Sequence, residues 1–347
     1  MDASRCSERN GVTSRELDLV TFAHQGHVRY YSLARYALIE ALRLSGVGFG
    51  SRVLLPSFIC RDLLASLHAL GASVCWYEVA PDLSPAHDSN SWQIADAVLA
   101  VDYFGFTQNL KPFEEYTVRT GAVLIEDNSH GYLSRDEGGQ WLGCRADMGI
   151  FSLRKTLRIP DGAALWVSSG TSVDHLPQQL AFDGEGINRA QLIKTRLRRM
   201  PLVGESAYKL STSLIRLLRT WRTGSEIPKA DLTAELELRG AKNPWIGLLT
   251  TLDKVDEFQE IERRRIQYMN CAIFGKRVGA LPVFAELPPN CAPYAYVFRG
   301  GEATKKEMRS YASKHGFDFM SWPDLPSAIM KNAPEHYYNI FLVNFLW

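Results

Sequence analysis

Three side chains within residues 123–167 could hold and operate one cofactor: a carboxylate at Asp127, a hydroxyl at Ser152 and an amine at Lys155. A lysine removed from water gives up its proton readily, and its free amine can then attack a carbonyl, which an arginine cannot do. A carboxylate can hold the protonated nitrogen of a pyridine ring, and a hydroxyl can donate to a phosphate. Pyridoxal phosphate makes these three demands together. Taken singly, each residue has a plainer reading, since an Asp at a strand end often caps a turn and a Lys near a Gly often lies in solvent.

The local pattern explains how the three could meet. Val123, Leu124 and Ile125 form a short apolar run that ends in Glu126, Asp127 and Asn128, as a buried strand does where it leaves its sheet. Gly149, Ile150 and Phe151 form a second run that delivers Ser152 and Lys155 to the same rim, with Pro160, Asp161 and Gly162 turning the chain behind them. Ligands on open α/β sheets gather at such carboxyl ends.

The flanking chain supplies the rest of such a sheet. A helix is predicted over 33–45, with Leu38, Ala41, Leu42 and Ser45 on one face and Gly46 as its stop. Strands follow at 52–56, 72–79 and 95–103, interleaved with helices over 57–71 and 112–120. That alternation predicts the α/β class, with a mostly parallel sheet covered on both faces. Residues 189–222 are basic and leucine-rich; LSTSLIRLLRTW places Leu210, Leu214, Leu217 and Trp221 on one helical face, and the plain reading is an amphipathic helix with a solvated basic side. In the same segment Lys194, Arg196, Arg198 and Arg199 would suit the diphosphate of a sugar nucleotide. A long amphipathic helix over 246–270, a strand at 294–299, a helix over 304–315 and an apolar strand at 338–347 then predict a small α+β domain.

IEDNSHGY, followed by ADMGIFSLRKTLRIPDGAAL, closely resembles the DegT/StrS-type sugar aminotransferase family of fold-type I pyridoxal phosphate enzymes. The resemblance covers about residues 30–170 well and 240–347 loosely. It implies a large domain with a mainly parallel seven-stranded sheet covered by helices and a smaller C-terminal α+β domain, here an arm over 1–30, the large domain over 31–240 and the linking helix and small domain over 241–347. Asp127 is implied to pair with the ring nitrogen, His130 to lie near the phenolic oxygen, Ser152 to touch the phosphate and Lys155 to bond the cofactor. The turn at Ala34 and Arg35 is implied to hold the phosphate at a helix N-terminus, with Arg35 bringing charge where the family usually has a threonine. Cys60 stands where an aromatic commonly stacks on the ring, which leaves Phe58 as the candidate for that contact. Asn243 is the candidate for a residue reaching a neighbouring subunit's cofactor. The activity so implied is transfer of an amino group from an amino acid, glutamate or glutamine, to a keto sugar, nucleotide-linked, by a homodimer. Retention of a lysine at 155 disfavours the dehydratase branch, which carries histidine there. The alternative is a protein of this fold that binds cofactor or ligand without transaminating, in a regulatory or interaction role.

Composition narrows the field further. The chain has 347 residues, enough for two domains, and a formal net charge of +1, which disfavours a nucleic-acid binder working by bulk charge. Cys6, Cys60, Cys75, Cys144, Cys271 and Cys291 are scattered without paired spacing, so neither a metal site nor a disulfide framework is expected. The polar first eighteen residues and the lack of a long apolar run predict a cytoplasmic protein without a membrane span.

Overall fold

The computed structural model describes residues 26–157, 159–170, 175–184, 221 and 231–346. The predicted segment 189–222, with Lys194, Arg196, Arg198 and Arg199, therefore lies outside the described residues apart from Trp221.

In chain order the larger sheet and its helices comprise β1 (Gly26–Tyr31), α1 (Ala34–Leu44), β2 (Arg52–Pro56), α2 (Leu64–His68), β3 (Ser73–Tyr77), β4 (Ala97–Val101), α3 (Lys111–Thr120), β5 (Val123–Asn128), β6 (Met148–Phe151), α4 (Leu153–Thr156) and β7 (Ala163–Ser168). The seven strands lie in the order β1-β7-β6-β5-β4-β2-β3. From β6 to β3 all neighbours are parallel, while β7 runs antiparallel to both β6 and β1. Every residue of β4 is buried, as a central strand with both faces covered requires. The register sets Asp127 between Val101 on β4 and Ile150 on β6, so the carboxylate sits at the parallel strands' carboxyl rim.

Helix α1 buries Leu38, Ala41 and Leu42 as its spacing predicts, but Ser45 is its C-cap, donating its hydroxyl to the carbonyl of Ala41 at 2.8 Å. Lys111–Thr120 closes on Gly121, whose φ of 75° is the left-handed cap that a residue with a Cβ adopts only at a cost. The helix expected over 57–71 is shorter: a 3-10 turn at Arg61–Leu63 leads into α2. The Arg61 amide is drawn instead to the carbonyl of Asp324 at 2.9 Å, so a tertiary bond holds the entry non-helical.

Beyond β7 come α5 (Leu248–Leu252), α6 (Glu257–Arg277), β8 (Leu281–Pro282), β9 (Tyr296–Arg299), α7 (Glu302–His315), β10 (Asp318–Ser321) and β11 (Phe341–Asn344). The single helix expected over 246–270 is thus two. Asp256 caps the second, accepting from the Gln259 amide at 3.0 Å, a local bond that competes with continued helix. The four later strands form an antiparallel sheet ordered β10-β11-β9-β8. Apolar side chains from both sheets share one continuous core. Among the described residues no helix is long and apolar enough to cross a membrane.

Candidate active site

A cavity of about 260 Å³ opens at the rim where β5 and β6 end. Asp127, His130, Ser152 and Lys155 all line it, as do Ala34, Arg35 and Cys60. Seven of the nine residues singled out in the sequence are therefore brought together. The other two are not. Phe58 is fully buried in the core against Tyr103, Trp322 and Tyr337, since it follows β2 on the side packed by the small sheet's loops. Asn243 donates its amide to Asp183 at 2.6 Å and does not line this chain's cavity.

The strand end fixes Asp127. Its carboxylate accepts from the Ser129 amide at 2.9 Å, a turn bond of the ordinary Asx kind, and its carbonyl accepts from the Asp102 amide at 3.0 Å. Burial pushes its carboxyl up from the usual range, with Ser129 and Lys155 opposing the shift. A cationic ring nitrogen would restore the charged form.

Lys155 projects from the single turn α4, and its Nζ lies 3.2 Å from His130 Nε2. Burial holds the amine below the ordinary lysine value, against the pull of Cys60 and Asp127. His130 is held well below its usual value, by burial first and the Lys155 charge second, so the ring is neutral. The Cys60 thiol is pushed up to about 11 by burial and stays protonated.

Aromatic rings fix His130. Phe104 stacks on one side at 5.4 Å and 7°, Tyr294 on the other at 4.6 Å and 16°, and Trp322 meets the ring edge-on at 5.5 Å. Phe104 reaches this place from a backbone φ of 58°, uncommon for a bulky residue. Gly131 must follow the histidine, because a Cβ there would come within 2.1 Å of Asn128 Oδ1. From beneath, the fully buried Arg264 of α6 donates to the carbonyls of Tyr132 and Thr156, both at 2.9 Å. One guanidinium thereby ties the turn carrying His130 to the turn carrying Lys155. Phe104, Tyr294, Trp322 and Arg264 were not legible as site residues.

The N-terminus of α1 is placed where it could take a phosphate. Its N-cap, Leu33, makes no side-chain bond and its first turn has no acid, so backbone donors stay available on the cavity wall. The donor set fits pyridoxal phosphate: an amine of lowered basicity for its aldehyde, a buried carboxylate for its ring nitrogen, and open amides with a serine for its phosphate.

The relatives agree. A structural comparison finds the pyridoxal phosphate form of the putative sugar aminotransferase Spr1654 from Streptococcus pneumoniae at a TM-score of 0.63 and 15% identity, covering 96% of this chain and 86% of that one. The aminotransferase TlmJ from Streptoalloteichus hindustanus matches at 0.59 and 18% identity, over 95% and 84%. A DegT DnrJ EryC1 StrS aminotransferase from Brucella abortus matches at 0.59 and 14% identity, over 93% and 82%. These identities show the fold; the family is shown by sequence, where the family's own profile matches residues 5–191, over half the chain. The protein belongs to the DegT/DnrJ/EryC1/StrS aminotransferase family, whose members are pyridoxal phosphate-dependent.

Proposed function

We propose that this chain moves an amino group from an amino acid, glutamate or glutamine, to a keto sugar carried on a nucleotide, as a cytoplasmic homodimer in the making of an amino sugar. The observation that carries the reading is the 3.2 Å approach of Lys155 Nζ to a neutral His130 in a cavity that also holds Asp127. When bound, pyridoxal phosphate supplies the electron sink that lets a proton leave the substrate carbon.

The residues then divide the work. Lys155 Nζ carries the proton between the substrate's α-carbon and the acceptor position, and its lowered basicity lets it both take and return that proton. His130, neutral and clamped between two rings, receives a hydrogen bond from the lysine and keeps its amine aimed into the cavity. The Asp127 carboxylate holds a protonated ring nitrogen in place. Trp322, Phe104 and Tyr294 exclude water from that exchange. The sugar acceptor draws support from one structural relative, a putative sugar aminotransferase.

A second reading, cofactor binding without transamination, draws on Cys60, whose thiol lines the cavity where an aromatic is expected from the resemblance. One experiment separates the two. Purified protein loaded with pyridoxal phosphate is given glutamate, then glutamine, and the absorption spectrum and keto-acid release are followed. We expect conversion to the pyridoxamine form with stoichiometric keto acid; loading without conversion by any amino acid favours the second reading.

A further inference from the structure

We propose that Arg154 is the cationic partner of the phosphate group in this cavity, acting together with the N-terminus of α1. The proposal rests on pyridoxal phosphate being the cavity's ligand. Arg154 lines the cavity with Ala34, Arg35 and Ser152. Its Nε is buried and has no hydrogen-bond partner among the described residues. The contrast with Arg264 is informative: that side chain is fully buried, and its Nε reaches Glu260 at 2.8 Å while its two other nitrogens reach carbonyls, whereas the half-buried Arg154 keeps a buried Nε without such a partner among the described residues.

The charges of the wall point the same way. Arg35 is spoken for, paired with Asp62 at 3.0 Å, whereas no ion pair is made by Arg154 among the described residues. Burial accordingly holds its guanidinium below the ordinary arginine value. Asp62 and Asp161 oppose part of that shift, and a bound anion would relieve the remainder. The uncapped α1 amides on the same wall also call for an anion. A phosphomonoester, dianionic and three-oxygened, satisfies both at once, and the forked guanidinium suits it better than an ammonium would. Arg154 also depresses the basicity of the adjacent Lys155.

The test compares wild type with Arg154→Gln and Arg154→Lys, each freed of cofactor. Each is titrated with pyridoxal phosphate and with pyridoxal, which lacks the phosphate, and the bound aldehyde is read by absorbance and by intact mass after borohydride reduction. We expect Arg154→Gln to weaken pyridoxal phosphate binding by about thirtyfold, as loss of a buried charge-assisted bond implies, while pyridoxal binding stays within about threefold. Arg154→Lys should fall between. Inorganic phosphate should raise the Tm of the empty wild type and leave that of Arg154→Gln unmoved. Equal pyridoxal phosphate affinity in wild type and both variants overturns the proposal; if only the KM for the amino donor then rises, the guanidinium serves a substrate carboxylate instead. Should Arg154→Gln fail to fold, unchanged binding in Arg154→Lys together with no phosphate response in wild type overturns it equally. Failure of wild type itself to bind pyridoxal phosphate has a different signature and sinks the cofactor reading.

Discussion

Glu126 and Asp127 are neighbours on β5, and the pleat sends them to opposite faces of the sheet. On its face Glu126 is enclosed: it accepts from the Arg145 amide at 2.9 Å and from Arg145 Nε at 2.7 Å. The same guanidinium reaches Asp102 at 2.8 Å and the carbonyl of Gln108 at 3.1 Å. Asp102 is held well above the usual carboxylate range by burial and by Glu126 beside it, with Arg145 opposing. On the other face Asp127 has only Ser129, through its amide and hydroxyl, and the Lys155 amine across a cavity to oppose its burial. A carboxylate whose demands are met inside the chain stabilises a fold, and one left facing a void is available to a ligand. Adjacent residues of similar chemistry thus do unrelated work.

Three substitutions sharpen that comparison. Lys155→Ala, on the cavity face, should abolish covalent capture of the cofactor and lower transamination by at least about 10³-fold, while the thermal midpoint of the empty protein holds. Reduced cofactor found by mass on another lysine would break the assignment. Arg145→Met, on the opposite face, should do the reverse: two interior carboxyls lose their counter-ion, at about 3–5 kcal/mol, read by denaturant titration. A stability loss below about 1 kcal/mol there would mean the network is no better than a surface pair.

Asp127→Asn should give the smallest effect and the most telling one. Activity falls by about a hundredfold, because an amide cannot anchor a cationic ring nitrogen, yet the empty variant is at least as stable as wild type at neutral pH. The sign follows from the raised carboxyl. The folded state favours the protonated form, so at every pH above the folded pKa the buried charge costs stability. That cost is relieved as the pH falls toward the ordinary carboxylate value, and the stability gap between variant and wild type should close there. A gap that widens on acidification contradicts the assignment of Asp127 as an unmet charge.

What could be read in the sequence was local. Arg52–Pro56 was legible to the residue because an apolar run between polar turns has one reading, and Asp127, Ser152 and Lys155 were legible because two adjacent strand ends carry them. The Asp256 cap was written in the chain too, with Gln259 three residues on, but the apolar spacing on either side of it suggested one helix. Trp322, Tyr294 and Arg264 escaped for a different reason. Each is an ordinary core residue by type, and it becomes part of the site only through packing across more than a hundred residues of chain, which no short-range pattern encodes. Phe58 shows the converse: its type and neighbourhood suited a ring stack, and the small sheet's loops claimed it for the core first.

The loop that brings Trp322 and Asp324 to the cavity wall has a consequence for biosynthesis. All seven strands of the larger sheet precede it in the chain, and nascent domains generally fold in order of synthesis. The sheet, Asp127 and Lys155 can therefore be in place while the ribosome is still making the remainder, but the wall stays open until residues 322–324 have emerged. Cofactor capture is then one of the last events in the protein's maturation, and a chain cut short before Trp322 would carry a finished lysine in an unfinished site.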